Sequence, residues 1–220
     1  MQHTMWLFLF LALSTQTGWT FKISSFLSPT TPASDFCVAK EFIAGQAIMS
    51  GTLIDGKQTI SKRMTMMAYS AKLKKVQFRD LPSERMPYGR RVLFDYPAET
   101  LYTVTYHTDI NATCTKRRLL EPFKEECMPE NSTIVFSDTL YGAGAFTTVG
   151  WEITGTMDGG VRFHVSMTNE HLPMFEETYG VSNGRPFFQN VFFYNASLIN
   201  FHPDDYIFRP PKNCTFVTWS

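Results

Sequence analysis

Short runs of alternating apolar and polar residues recur along this chain, with turn-forming residues between them, and no stretch reads as a long amphipathic helix. Tyr102, Val104 and Tyr106 alternate with Thr103, Thr105 and His107. Val149, Trp151 and Ile153 alternate with Gly150, Glu152 and Thr154, and the pattern resumes over Val161–Met167 after the turn at Asp158-Gly159-Gly160. Those two segments predict the best-defined hairpin of the chain. Pro186 to Tyr194 (PFFQNVFFY) is apolar at both parities and predicts a central strand covered on each side. Strands every ~8–15 residues, with turns between, predict an all-β, largely antiparallel fold. Helix is expected to be minor, with Lys116–Leu120 and Glu170–Glu177 as the candidate segments.

A chain of 220 residues is long enough for one domain with a full hydrophobic core. Twenty basic and 20 acidic residues cancel to a formal charge of zero, so nothing favours nucleic acid as a partner. Residues 1–20 carry no Lys, Arg, Asp or Glu, and the run from Trp6 to Leu13 is too short to span a bilayer but suits a signal peptide. Residues 21–36 are rich in Ser, Thr and Pro and read as a flexible arm, leaving 37–220 as a single domain. Four cysteines follow (Cys37, Cys114, Cys127, Cys214), none in a C-x-x-C pair, and four thiols allow three pairings. Sequons stand at Asn111, Asn131, Asn195 and Asn213. Cysteines and sequons behind a signal-like segment point to secretion through an oxidising compartment.

No catalytic constellation is legible. There is no G-x-S-x-G, no H-E-x-x-H and no P-loop, and Gly142-x-Gly144 lacks the third glycine of a dinucleotide loop. His107 and His164 fall on polar faces of predicted strands and read as surface residues. Carboxylates gather at Glu121, Glu125, Glu126 and Glu130 and again at Asp204-Asp205. Calcium would use such oxygens, but without EF-hand spacing a solvated loop explains them as well, so the metal site stays unassigned. The chain is read as non-enzymatic. Its 20 Phe and 11 Met describe either a β-rich core or an adaptable apolar cavity.

The window Tyr106…Asp109…Cys114-x-Lys116…Leu119…Pro122-Phe123…Pro129-x-Asn131-Ser132-Thr133 resembles the core motif of the ependymin and ependymin-related family. Cys37 before a glycine-containing strand, Trp151 after the glycine loop, and Phe201-His202-Pro203…Phe208-x-Pro210-Pro211-x-x-Cys214 extend the resemblance over roughly residues 36–216. His171 and Ser83 stand near positions where relatives carry cysteines, and Cys127 has no counterpart in the vertebrate pattern. The resemblance implies a secreted glycoprotein with two stacked antiparallel sheets curved around a deep hydrophobic pocket, similar to bacterial lipoprotein carriers. It also implies a fatty acid or other lipid as ligand, homodimers, calcium as the one cofactor to consider, extracellular-matrix partners, and in some relatives the lysosomal lumen. Carried onto this chain, it implies a Cys114–Cys214 bridge, which leaves Cys37 for Cys127. Glycans are expected on Asn111, Asn131 and Asn195, with Asn213 largely unmodified beside its bridged neighbour.

Two classes of function follow from this reading: a lipid-binding module, or a calcium-dependent adhesion glycoprotein of the matrix. What separates them is whether Phe and Met side chains converge on one cavity or are divided among solid cores. For a cavity, the period-two pattern points Val161, Phe163, Val165 and Met167 inward, with Trp151, Ile153, Phe188 and Phe192 supplying the opposing apolar surface.

Overall fold

The computed structural model describes residues 37–218, apart from short gaps at 55–56, 84–86, 109–110, 129–131, 142–146, 158–159, 169 and 183. The expected signal segment and arm, the Gly142–Ala145 loop and Asn131 therefore lie outside the described residues. Twelve strands are described: β1 (Glu41–Ile54), β2 (Lys57–Ser70), β3 (Lys75–Asp80), β4 (Arg90–Asp95), β5 (Thr100–Tyr106), β6 (Ala112–Arg118), β7 (Thr133–Tyr141), β8 (Thr147–Met157), β9 (Val161–Thr168), β10 (Pro173–Ser182), β11 (Arg185–Leu198) and β12 (Thr215–Phe216). One 3-10 turn, Tyr206–Phe208, is the only helical element named beside them among the described residues. The strands follow a single hydrogen-bonded order, β12-β6-β5-β4-β3-β2-β1-β11-β10-β9-β8-β7, where the resemblance implies two stacked sheets. All-β with minor helix is thus the architecture. No described helix is long and apolar enough to cross a membrane.

Both candidate helices are strands instead. Lys116–Arg118 ends β6, whose partners are β5 and, in parallel, β12. Most of Glu170–Glu177 belongs to β10, registered antiparallel to β9 and β11. Tertiary pairing overrides the weak helix propensity of a short charged segment.

The chain divides into two compact units. The first comprises Met1–Ala39, Ala47–Lys62 and Glu126–Phe193. Its strands β7 to β11 form an antiparallel meander, including the expected β8–β9 hairpin with Trp151 opposite Met167 and Ile153 opposite Val165. Gly184, at φ +73°, closes β10 onto β11. The core of this unit is Met128, Ile153, Phe163, Val165 and Met167, with Val38 packed against it. Gly155 faces Phe163 across the hairpin, and a Cβ there would strike the ring, so only glycine lets Phe163 fold onto β8. A Cys37–Cys127 disulfide ties the segment bearing Val38 to the one bearing Met128, and Val38 N–H donates to Glu126 O at 2.8 Å.

The second unit comprises Lys40–Gln46, Arg63–Glu125 and Tyr194–Ser220. Strands β3 to β6 pair successively, and the Cys114–Cys214 disulfide holds β12 beside β6. Its core joins Ala68 and Leu93 to Phe201 and Phe208 of the C-terminal segment. Arg91 donates to the carbonyls of Ile207 and Arg209, both at 2.9 Å, fastening that segment down. Lys75–Asp95 (2.9 Å) and Arg90–Asp80 (3.0 Å) pair charges across neighbouring strands.

Candidate functional site

Register decides which side chains of β9, β10 and β11 share a face. Val165, Glu176 and Val191 stand in one row, and Phe163, Thr178 and Gln189 in the next. All six are buried. The intervening rows, Arg162-Tyr179-Phe188, His164-Glu177-Asn190 and Ser166-Phe175-Phe192, turn mostly to the opposite side. That side is open among the described residues: Phe192 is 50% exposed and Val181 54%, with Phe175, Tyr179 and Phe188 half-buried.

The patterning of β10 is therefore inverted. Its polar Glu176 and Thr178 point inward, and its apolar Phe175, Tyr179 and Val181 point outward. On the open side the Phe175 and Phe192 rings lie 4.9 Å apart, and His164 meets Phe175 edge-on at 5.9 Å. The apolar surface continues over β1, where the missing Cβ of Gly51 makes room for the ring of Phe188. Ser50 and Ser61 share a 2.8 Å hydroxyl contact, and Ile60 of β2 is 52% exposed.

The buried face carries two acids. Glu126 and Glu176 are each 6% exposed. Burial pushes both carboxyls up to about 8, and the nearby Glu126 adds to the rise at Glu176. At neutral pH each is held as the uncharged acid, a poor ligand for a hard dication. The other carboxylates proposed for calcium are dispersed. Glu121 and Glu125 are exposed, Asp205 accepts the His202 N–H at 2.8 Å, and Glu130 lies outside the described residues.

The pocket residues read from the sequence separate onto two surfaces. Val161, Phe163, Val165, Met167 and Ile153 are buried together. Phe188 and Phe192 lie on the opposite face, and β11 is open on one side where the sequence predicts cover on both. Trp151 takes the β8 position opposite Met167, its side chain outside the described residues. Phe and Met are thus divided: Phe163, Met128 and Met167 fill one core, while Phe175, Phe188 and Phe192 are left on an open surface. The sequence reading missed Phe175 and Tyr179. An outward Phe beside an inward Glu was the signal available, and it is visible only once the face of β10 is known.

The disulfides are Cys114–Cys214, the bridge that the resemblance implies, and Cys37–Cys127, the pair that it leaves over. Asn111 and Asn195 are exposed acceptors, Asn195 at φ +51°. Asn213, also exposed, sits at φ +59° directly before bridged Cys214. A separate groove of about 600 Å³ in the second unit runs beside Tyr96, Glu99, Arg118 and Phe123.

No family model and no curated protein matches the chain. Solved structures are similar to it only distantly. An uncharacterised conserved protein from Thermus thermophilus is 10% identical, with a TM-score of 0.44, over 79% of this chain and 89% of its own. A LolA superfamily protein from Nitrosomonas europaea is 11% identical, with a TM-score of 0.34, over 78% of this chain and 92% of its own.

Proposed function

We propose that this chain is a secreted, non-enzymatic glycoprotein of the ependymin-related type that binds a hydrophobic small molecule, a fatty acid or other lipid, on the open face of β10 and β11. The observation that carries the reading is the inverted patterning of β10, which leaves Phe175, Tyr179 and Val181 beside Phe188 and Phe192 on one surface. Apolar side chains set outward together mark a binding surface rather than a packing accident. Covering a half-exposed ring contributes about 2 kcal/mol at roughly 25 cal/mol/Å², so a few rings suffice for a lipid chain.

The test uses the delipidated, secreted protein and the fluorescent apolar probe N-phenyl-1-naphthylamine. Saturable binding by the parent, lost in Phe192→Asp at an unchanged melting temperature, is the expected result. Sedimentation in the same buffers reports whether a second copy, the homodimer of the resemblance, competes for the face. No probe bound by the parent, together with calcium-dependent attachment to matrix, would replace this reading with the adhesion glycoprotein.

A further inference from the structure

Three segments of the second unit build the groove of about 600 Å³, a size that suits a small molecule. The β2–β3 turn brings Lys74, the β4–β5 turn brings Tyr96 and Glu99, and the stretch after β6 brings Arg118, Glu121 and Phe123. Main-chain bonds knit the segments together: Tyr96 N–H donates to Lys74 O at 3.3 Å and Leu119 N–H to Glu99 O at 2.8 Å.

The two turns share an anomaly. Each ends in a residue of left-handed backbone, Lys74 at φ +52° and Glu99 at φ +46°. Glycine takes that conformation without steric cost and is the usual choice in such hairpins. Here the chain sets a lysine and a glutamate there instead, and both line the groove. Backbone cost retained at two neighbouring turns points to side chains with a task.

The lining defines the chemistry. The rings of Tyr96 and Phe123 meet at 5.2 Å and 73°, forming a half-buried aromatic corner. Buried rings back it on both sides, Tyr69 at 6.2 Å from Phe123 and Phe94 at 6.3 Å from Tyr96. Aromatic faces set in this way attract a weakly hydrated organic cation. Arg118 and Glu99 neutralise each other in a 3.1 Å pair. Lys74 and Glu121 are exposed, and no ion pair holds either side chain among the described residues. A lone cation would meet Lys74 and a lone anion would meet Glu121. A zwitterion answers both.

We propose that this groove binds a phosphocholine group, free or as a lipid head group, with its phosphate on Lys74 and its quaternary ammonium against Tyr96, Phe123 and Glu121. The site is distinct from the open face of β10 and β11, and its test does not depend on that reading.

Calorimetry on the secreted protein at neutral pH compares phosphocholine, choline and inorganic phosphate. Phosphocholine should bind saturably, with choline and phosphate each about tenfold or more weaker. Lys74→Gly should weaken phosphocholine by about tenfold, spare choline and not lower the melting temperature, because glycine suits the left-handed turn. Phe123→Leu should weaken phosphocholine and choline alike. Co-sedimentation with phosphatidylcholine vesicles assigns the source. Vesicle binding that soluble phosphocholine displaces marks a lipid head group, binding of soluble phosphocholine alone marks a free metabolite, and either supports the site. Phosphate binding as tightly as phosphocholine, or an unaltered phosphocholine affinity in folded Lys74→Gly, overturns it. Vesicle binding without any binding of soluble phosphocholine also overturns it, as does no binding in any arm. If Phe123→Leu is not secreted, Lys74→Gly decides: phosphocholine weakened to the level of choline supports the assignment, and phosphocholine unaltered overturns it.

Discussion

Strands β9 and β10 lie side by side and are patterned in opposite senses. On β9 the apolar Val161, Phe163 and Val165 point into the core, while Arg162 and His164 point away from it. On β10 the inward positions are Glu176, Thr178 and Gly180, and the outward ones Phe175, Tyr179 and Val181. The two faces of this sheet differ in their cover as well. Met128 and Val38 close the inner face, held by segments that the Cys37–Cys127 bridge joins. Nothing among the described residues covers Phe192 and Val181 on the outer face to that extent. A strand that hides an acid and shows rings works against its own packing. The difference teaches that the two faces answer to different demands, stability on one and recognition on the other.

The largest effect should come from unfastening the inner cover. Replacing Cys37 and Cys127 together by alanine opens a loop with a sequence separation of 90 residues. In the chain-entropy model its loss costs about 4–5 kcal/mol. Secretion should fall and the melting temperature drop sharply; unchanged melting would mean that the bridge does not secure the cover. Next comes a matched pair of truncations. Phe163→Ala on the inner face should cost about 3–5 kcal/mol, whereas Phe192→Ala on the outer face should cost less than about 1 kcal/mol and weaken probe binding instead. Equal losses in chemical denaturation would erase the distinction between the faces.

The acids of the inner face give that distinction a pH signature. Glu126 and Glu176 keep their protons up to about 8 when folded, against an ordinary value of 4.5 in the unfolded chain. The unfolded state therefore binds fewer protons between these values, and stability falls as pH rises through that window. Below about 4.5 both states are protonated and the penalty vanishes. Melting curves should show a loss on the order of a few kcal/mol between pH 5 and 8. Glu176→Gln should flatten that slope, and a profile unchanged by the substitution would remove the acid from the account. The smallest effect is expected from Val165→Trp, which overpacks the filled core by about 1–3 kcal/mol and leaves probe binding on the outer face intact. Lost binding at constant stability would instead locate the ligand among Val161, Phe163 and Val165.

The sequence makes some of this legible and hides the rest for physical reasons. Alternation marks β9 because its apolar Val161, Phe163 and Val165 face one way, and the Gly160 turn before it announces itself by composition. β10 escaped because its pattern, with Glu176 and Glu177 adjacent, reads as a charged helix unless Glu176 is known to be buried. β11 reads as covered on both sides because Phe187 and Phe188 are chemically alike; burial shows that the Phe187 side is covered and the side of Phe188 and Phe192 is not covered to the same extent. Hydropathy reports how apolar a residue is, and it does not report whether that residue is sheltered.

Photo-crosslinking tests most directly whether ligand lies on the outer face while the inner face is core. A fatty acid with a diazirine in its chain is bound to the secreted protein, irradiated, and the adducts mapped by peptide mass spectrometry. Adducts concentrated on Phe175, Tyr179, Phe188 and Phe192 are the predicted result. Adducts on Val161, Phe163 and Val165, with the outer rings unlabelled, would contradict it.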